Sequence, residues 1–393
     1  MTRIGIFGGS FDPPHIGHIH AAQAAVGALR LDKLLLMPSF QSPHKPASSD
    51  LPTPDQRLQM LCLAASGDPK LEVSDLEISR GGISYTADTI EAVRALYPEA
   101  ELFLLMGSDM FFSFPKWKHK ERILENASLA VFYRGDKGEK DGVQVQKAAL
   151  AQSGCSVHLI ENSVISISST QLRRLLAFQC AEDFLPVGVG DYIRENDLYH
   201  VNAEWKNLSI EQLEQVVVSL LKPSRVAHVL GCREAAVSLA KRWGADETDA
   251  ARAAILHDVT KALDGPLQLT LCRSYGKVLD DFSLRYPKTL HALTGSLVAR
   301  RIFGENDAVV AAIECHTTGK AAMNMLEKII YVADYMEPNR DFPGVEQLRE
   351  LAYSDMDAAL ECGLRMTLEH LARQGAEVSP ASRQALEYLC VKL

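Results

Sequence analysis

The chain contains 393 residues with a formal net charge of −9, and 47% of its residues are hydrophobic. This composition is typical of a soluble globular protein of about two domains, and it excludes a mainly disordered, collagen-like or coiled-coil chain. Acidic residues outnumber basic residues in each half, so we expect no nucleic-acid partner.

Localisation follows from the cysteines and from the hydrophobic pattern. The eight cysteines include no Cys-x-x-Cys pair, which suits a reducing cytoplasm. The sequence begins with a strand-like segment rather than a signal peptide, and it has no apolar run of about 18 residues that would span a membrane. We therefore expect a cytoplasmic protein without a membrane partner. The sequence leaves the oligomeric state open, with a homo-oligomer as one option.

The two halves of the chain have different hydrophobic patterns. The first half predicts helices at 16–31, 57–66 and 86–97, a proline-rich loop at 38–54, and strands at 3–7, 34–37, 71–78, 102–106, 129–133 and 157–160. This alternation predicts an α/β domain at 1–200 with a Rossmann-like, doubly wound parallel sheet. Beyond about residue 205, leucine and alanine recur at helical spacing, so we predict an all-α domain at 201–393.

A glycine- and histidine-rich segment follows the first predicted strand. Its sequence is Gly8-Gly9-Ser10-Phe11-Asp12-Pro13-Pro14-His15-Ile16-Gly17-His18. Glycines let a ligand approach the backbone, and a helix N-terminus attracts phosphate. His15 and His18 are three residues apart and share one helix face. Both imidazoles can therefore stabilise charge that develops during phosphoryl or nucleotidyl transfer.

This segment resembles the His-x-Gly-His signature of the nucleotidyltransferase superfamily, and Ile167–Arg173 resembles its Ile-Ser-Ser-Thr-x-x-Arg element. Class I aminoacyl-tRNA synthetases share the first signature but carry a Lys-Met-Ser-Lys-Ser loop, which this sequence lacks. The resemblance implies Mg²⁺ as a cofactor and His15, His18 and Arg173 as catalytic residues. It also implies that ATP is bound by Gly8, Gly9, Ser10, Phe11, Asp109, Ser168, Ser169 and Thr170.

Three further segments, 43–46, 79–89 and 107–117, resemble nicotinate-mononucleotide adenylyltransferases, and the likeness extends from residue 3 to about 199. It implies that domain 1–200 transfers AMP from ATP to nicotinate mononucleotide, giving deamido-NAD and pyrophosphate. The mononucleotide would contact Lys45, Tyr85, Thr86 and Trp117, with the indole of Trp117 stacked on the nicotinate ring. Nicotinamide mononucleotide and phosphopantetheine stay open as alternative acceptors.

The second half carries histidines that are each separated by roughly one helix and a turn. The series consists of His228, His257, His291, His316 and then Asp334. A helical bundle can bring such groups to one interior point, where they need a partner to offset their desolvation. Mixed nitrogen and oxygen ligands suit iron or manganese, and they also admit zinc.

This pattern resembles the HD superfamily of metal-dependent phosphohydrolases, closest to its symmetrical bis(5′-nucleosyl)-tetraphosphatase branch, over about 206–390. The resemblance implies hydrolysis of diadenosine tetraphosphate to two ADP, with a metal-activated water attacking phosphorus. It implies that iron or another transition metal is held by His228, His257, Asp258 and Asp334. Substrate or a second metal would face Arg225, His291, His316 and Arg340. The alternative is a nucleotide-sensing regulatory module.

Overall fold

A six-stranded parallel sheet organises the first unit of the chain, Met1–Ala203. Its strands are β1 Arg3–Gly9, β2 Lys33–Pro38, β3 Leu71–Val73, β4 Glu101–Gly107, β5 Ser128–Phe132 and β6 Val157–Ile160. They lie in the order β3-β2-β1-β4-β5-β6, so the sheet grows in opposite directions from the β1–β4 pair. Ligands of open α/β sheets bind at such a switch point, beyond the carboxyl ends of the strands. The predicted α/β class is confirmed.

Helices cover both faces of this sheet. They are α1 Ile16–Ala28, α2 Pro54–Ala65, α3 Leu76–Arg80, α4 Thr86–Leu96, α5 Ser108–Ser113, α6 Lys120–Asn126, α7 Glu139–Ala151, α8 Ser169–Ala177 and α9 Val189–Glu195. Strand residues alternate between two buried clusters: Ile4 and Ile6 belong to one, and Phe7 belongs to the other. A sheet that is buried on both faces explains the nearly continuous apolar runs in its strands.

Two predicted elements in this unit differ from the structure. The strand expected at 71–78 is wrong beyond Val73, because the chain turns into α3, and the buried carboxylate of Glu77 accepts a hydrogen bond of 2.6 Å from Thr89. The helix expected at 57–66 begins earlier, at Pro54, because Thr53 caps its N-terminus. Proline suits the first helical position, where its missing N–H costs no hydrogen bond.

The second unit, Glu204–Leu393, is helical. Its helices are α10 Ile210–Leu220, α11 Pro223–Trp243, α12 Glu247–Leu256, α13 Gly265–Ser274, α14 Asp281–Arg285, α15 Leu290–Arg301, α16 Asp307–Cys315, α17 Met325–Met336, α18 Val345–Ser354, α19 Met356–Arg373 and α20 Pro380–Lys392. α12 is central, because it packs against α10, α11, α15, α16 and α17. Its buried residues are mostly alanines, which allow close approach of these neighbours. The predicted all-α class is confirmed.

The computed structural model describes residues 1–41, 51–134, 138–152, 154–162 and 165–392. Lys45, expected to contact the mononucleotide, lies outside these residues. Within them, no helix has both the length and the hydrophobicity that crossing a bilayer requires.

Candidate active sites

The glycine-rich loop connects β1 to α1 at the carboxyl end of the central strand. Gly8 is exposed, and a Cβ atom added there would meet no atom within 4 Å. Gly9 is tighter, because its Cβ would lie 3.3 Å from the buried ring of Phe11. The loop therefore leaves open space beside the positive end of the α1 dipole, which is the environment that a phosphate group requires.

His15 and His18 lie face to face at the start of α1. Their rings stack with centroids 3.6 Å apart, and the backbone N–H of His15 donates to Nδ1 of His18 at 3.1 Å. Because Nδ1 accepts a hydrogen bond, a neutral His18 carries its proton on Nε2. Burial, followed by the charge of Arg134, lowers the pKa of His15 to about 3. His15 is therefore neutral at pH 7 and acts as a polar group rather than as a cation.

Gly17 separates the two histidines for a steric reason. A Cβ atom at this position would lie 3.0 Å from Nδ1 and 3.2 Å from Cε1 of His15. Such contacts are too close for the present ring position, so a side chain at Gly17 would displace the ring of His15. The His-x-Gly-His spacing is thus set by the packing of the imidazole of His15 over the helix backbone.

The two predicted nucleotide-binding segments contact each other directly. Ser169 Oγ donates to the carbonyl oxygen of Pro13 at 3.0 Å, and Arg173 Nη1 donates to the carbonyl oxygen of Asp12 at 2.6 Å. The buried Asp12 carboxylate pairs with Arg173 at 3.2 Å and accepts a hydrogen bond of 2.7 Å from Tyr199. Asp12 therefore fixes the loop against α8, and both of its carboxylate oxygens are occupied.

The hydroxyl groups at the start of α8 have partners within the protein. Ser168 is the N-cap of this helix, and its Oγ accepts a hydrogen bond of 3.2 Å from the backbone N–H of Gln171. Thr170 Oγ1 accepts one of 3.2 Å from Arg173. Ser10, at the other segment, has its carbonyl oxygen bound at 2.8 Å by the buried Arg57. These contacts fix the backbone of this segment and the position of the Arg173 guanidinium.

Arg134 is a further candidate site residue, which no sequence motif indicates. It lies two residues after the end of β5, its Nε is 3.4 Å from Asp109 Oδ1, and its guanidinium is 5.4 Å from the centre of the Phe132 ring. A Cβ atom on Gly107 would be 2.6 Å from Arg134 Nε, so the glycine makes room for this ion pair. The available signal was its position after a buried strand, at the edge where ligands of parallel sheets bind.

The residues expected to contact the pyridine ring lie on two neighbouring segments. Tyr85 is the N-cap residue of α4 and Thr86 is its first residue, and no side chain caps this helix. Trp117 is half-buried, with its indole N–H donating to Ser113 Oγ at 3.1 Å. The ammonium of Lys118 lies 5.5 Å from the centre of the Tyr85 ring, which brings the two segments together.

In the second unit, the predicted metal ligands converge. His228 Nε2 lies 3.2 Å from His257 Nε2, 3.1 Å from Asp334 Oδ1 and 3.8 Å from Asp258 Oδ2. On the other side, Asp258 Oδ1 lies 3.5 Å from His291 Nε2 and 3.8 Å from His316 Nε2. Asp258 therefore faces two groups of imidazoles, one with each carboxylate oxygen.

Each of the four imidazoles directs Nε2 towards the centre. Nδ1 of His257, His291 and His316 contacts the carbonyl oxygen three residues earlier, at 2.7, 2.9 and 2.7 Å respectively. Nδ1 of His228 lies 3.2 Å from Glu337 Oε1. These acceptors place the proton on Nδ1 and a lone pair on Nε2, as metal-ligating histidines require. Lone pairs that face each other at such distances are repulsive without a cation between them.

The protonation states agree with a cation site. Burial lowers the pKa of His257. It also lowers the pKa of His291 to about 4 and the pKa of His316 to about 3. Burial alone would raise the pKa of Asp258, but His257, His291 and Lys261 outweigh it and keep this pKa below the ordinary value. Imidazoles with lowered pKa values beside a carboxylate whose pKa is also lowered form a donor set that fits a divalent metal.

The predicted arginines flank this centre. Arg225 Nε donates to Asp258 Oδ2 at 2.5 Å, and Arg340 Nη2 donates to Asp334 Oδ1 at 2.8 Å. Two further residues, which no sequence motif indicates, lie beside the imidazoles of His291 and His316. Lys261 Nζ is 2.8 Å from His291 Nε2, and Thr317 Oγ1 is 3.1 Å from His316 Nε2. The cations can face phosphate oxygens that approach the metal ligands.

Glu337 contacts Nδ1 of His228, the ring nitrogen that faces away from the candidate metal centre. This residue is not assigned to the site by the sequence pattern alone. It is buried, and its Oε2 accepts hydrogen bonds of 2.8 and 2.9 Å from the backbone and the side chain of Asn339. A Cβ atom on Gly231 would collide with Glu337 and lie 2.9 Å from Asn339 Nδ2. The glycine on α11 therefore allows the carboxylate to reach the ring of His228.

Comparisons with known proteins match the two units of the chain to different families. Residues 6–175 match the cytidylyltransferase-like family. The "Probable nicotinate-nucleotide adenylyltransferase" of Gemmatimonas aurantiaca is 39% identical over 198 residues, which cover 50% of this chain and 92% of that protein. The chain belongs to the nicotinate-nucleotide adenylyltransferase family. The "Probable nicotinate-nucleotide adenylyltransferase" of Neisseria meningitidis serogroup C is 36% identical to this chain over 201 residues, which cover 51% of this chain and 99% of that protein.

This family member also carries an HD domain, at residues 225–339. A solved structure described as a "predicted HD superfamily hydrolase involved in NAD metabolism" from Clostridium acetobutylicum has 34% sequence identity and a TM-score of 0.46. The alignment covers 47% of this chain and 99% of that protein. The HD match includes His228, His257, Asp258, His291, His316 and Asp334.

Proposed function

We propose that the first unit joins nicotinate mononucleotide to the AMP part of ATP, giving deamido-NAD and pyrophosphate. The observation that carries this proposal is the contact between the loop at 8–18 and the start of α8, through Ser169 and Arg173. This contact supports the proposal because it brings the glycine-rich loop and the start of α8 together at the switch point of the sheet, where ligands of such sheets bind. Family membership adds the chemical class of the reaction.

In this reaction the 5′-phosphate of the mononucleotide attacks the α-phosphorus of ATP in line. The new P–O bond forms as the bond to pyrophosphate breaks, so no covalent enzyme intermediate is needed. The Nε2–H of His18 and the guanidinium of Arg173 would donate hydrogen bonds to oxygens on which negative charge develops. Mg²⁺ would shield the triphosphate, held mainly by phosphate oxygens and water, because Asp12 is already bound by Arg173 and Tyr199.

The acid form of the pyridine ring suits the N-terminus of α4. No side chain caps this helix at Tyr85 and Thr86, so its backbone N–H groups and its dipole favour a carboxylate. Nicotinate carries such a carboxylate, whereas nicotinamide is neutral at this position. We therefore expect the enzyme to prefer nicotinate mononucleotide.

The test is pyrophosphate release from ATP with nicotinate mononucleotide, nicotinamide mononucleotide or phosphopantetheine as the acceptor, at matched concentrations. The proposal requires that nicotinate mononucleotide gives the highest kcat/KM, and that deamido-NAD forms in equal amount to pyrophosphate. A higher kcat/KM with either of the other acceptors would overturn the substrate assignment.

We further propose that the HD domain hydrolyses diadenosine tetraphosphate symmetrically to two ADP. The observation that supports this is the convergence of four Nε2 atoms on Asp258 and Asp334. A transition metal bound there supplies Lewis-acid activation of a water. Arg225, Lys261 and Arg340 supply positive charge for the phosphate chain, and Glu337 holds His228 in its ligating orientation.

Product analysis separates this proposal from a regulatory, nucleotide-sensing module. Chromatography of the reaction with diadenosine tetraphosphate should show two ADP for each molecule consumed. Elemental analysis of the purified protein should show stoichiometric metal. AMP together with ATP would indicate attack at a different phosphorus. Nucleotide binding without turnover, in protein that lacks bound metal, would favour the sensing module.

A further inference from the structure

Cys232 lies inside the candidate metal centre. It is on α11, one helical turn after His228, so both side chains project from the same face of this helix. Its Sγ and one ligand atom from each of His228, His257 and Asp334 all lie within 4.8 Å of one another. The side chain is completely buried. A sulfur donor is therefore present where two imidazoles and a carboxylate meet.

We propose that Cys232 is a metal ligand, and that the first metal position is formed by His228, Cys232, His257 and Asp334. This inference rests on the proposed metal-dependent hydrolase. When the metal binds, a sulfur–metal bond replaces the S–H bond, and the proton passes to solvent. Asp258 forms a second group with His257 and His316, and its two carboxylate oxygens face both halves of the centre, so metal binding depends on Asp258 as well as on Cys232.

Another buried cysteine provides a comparison. Cys315 precedes His316 in sequence and is also buried, but its Sγ lies 3.7 Å from the carbonyl oxygen of Ala312. It does not belong to either group of potential ligands among the residues that the structure describes. Both cysteines are thus buried and close in sequence to a histidine. Of the two, Cys232 alone also lies among the potential ligand atoms.

A thiolate changes which metals the centre prefers. Imidazole and carboxylate ligands alone accept magnesium- and manganese-like ions as well as zinc and iron, whereas thiolate favours the softer metals. We therefore expect Cys232 to select zinc, iron or cobalt over manganese. Cys232→Ser should lower the affinity for zinc relative to manganese by at least about tenfold.

The direct test uses the full-length protein loaded with one equivalent of Co²⁺. Wild type and Cys315→Ser should both show the near-ultraviolet sulfur-to-cobalt charge-transfer band, and Cys232→Ser should lose it while retaining the circular dichroism of the wild type. A band of undiminished intensity in Cys232→Ser, or no band in the cobalt-loaded wild type, would overturn the proposal.

A second measurement needs no variant and therefore does not depend on the folding of Cys232→Ser. X-ray absorption of the zinc-loaded wild type should show a sulfur neighbour at about 2.3 Å in addition to nitrogen and oxygen neighbours. Hydrolysis of diadenosine tetraphosphate by a protein whose zinc has only nitrogen and oxygen neighbours would refute the role of Cys232 alone. Failure to bind any metal would refute both this role and the proposed hydrolase.

Discussion

At the residue scale, His15 and His18 are adjacent imidazoles with different environments. The buried ring of His15 is neutral, whereas Nδ1 of His18 is fixed by a backbone N–H so that Nε2 can donate. The sequence predicts both residues as charge-stabilising groups. The structure refines this interpretation, because burial makes protonation of His15 unfavourable near neutral pH.

The first prediction concerns pH. Because the pKa of His15 falls from an ordinary 6.5 to about 3 in the folded state, the unfolded chain binds a proton in this interval and the folded chain does not. The free energy of unfolding should therefore decrease as pH falls from about 6.5 towards about 3, by at most about 1.4 kcal/mol per pH unit. Urea unfolding of wild type and His15→Gln should show a weaker pH dependence for the variant. Parallel profiles would contradict the assignment.

The second prediction concerns Trp117. Its indole is half-buried against Phe114, with ring centroids 5.4 Å apart, so part of the ring can stack on a nicotinate. Trp117→Ala should raise KM for the mononucleotide more than KM for ATP. Trp117→Phe keeps an aromatic face and should have a smaller effect. Equal increases of KM for both substrates would mean that Trp117 contributes only to packing.

At the element scale, two helices contain glycines that make room for side chains of the candidate sites. Gly17 lets His15 lie over the start of α1, and Gly231 lets Glu337 reach α11. Glycine lowers helix stability relative to alanine by about 0.5–1 kcal/mol. Glycine at each of these positions therefore makes the helix less stable than alanine would, but it allows the side-chain arrangement of the candidate site.

Gly17→Ala should separate stability from activity. The added Cβ, 3.0 Å from His15 Nδ1, should displace this ring and lower adenylyl transfer by more than about tenfold, since small displacements of catalytic groups cost about this much or more. The matched control is Gly27→Ala in the same helix, where a Cβ atom would meet nothing within 4 Å. The control should keep full activity. Equal activities of the two variants would contradict this account.

Gly231→Ala should weaken metal binding without removing a ligand. Displacing Glu337 deprives His228 of the acceptor for its Nδ1–H, and loss of such a partner lowers metal affinity by about 10–100-fold. The measurement is competition with a chromophoric chelator, with the circular dichroism of both proteins compared. Gly244→Ala is not a suitable control, because Gly244 has a φ of +70°. Unchanged affinity would show that Glu337 does not orient His228.

The same elements show what the sequence can predict. Periodicity gives the sheet and the bundle, because long buried elements have strong hydrophobic patterns. It fails at β3, a three-residue edge strand, where tertiary contacts of Glu77 determine the helix that follows. Motifs give the residues whose spacing is distinctive. Arg134 has only its position after a buried strand as a signal, and the places of Cys232 and Glu337 beside His228 become visible only in the folded chain.

At the scale of the whole molecule, each unit contains its own site. The glycine-rich loop and α8 lie within Met1–Ala203, and the candidate metal ligands lie within Glu204–Leu393. We propose that one chain carries two separate activities. Substitutions in one site should therefore leave the reaction of the other site unchanged.

The most direct experiment measures adenylyl transfer, hydrolysis of diadenosine tetraphosphate and metal content in the same preparations of wild type, His18→Ala and Asp258→Asn. His18→Ala should reduce adenylyl transfer by about 10²–10³-fold and retain metal and hydrolysis of diadenosine tetraphosphate. Asp258→Asn should lose metal and hydrolysis and retain adenylyl transfer. Either variant losing both activities, or retaining the activity assigned to its own site, would contradict the account.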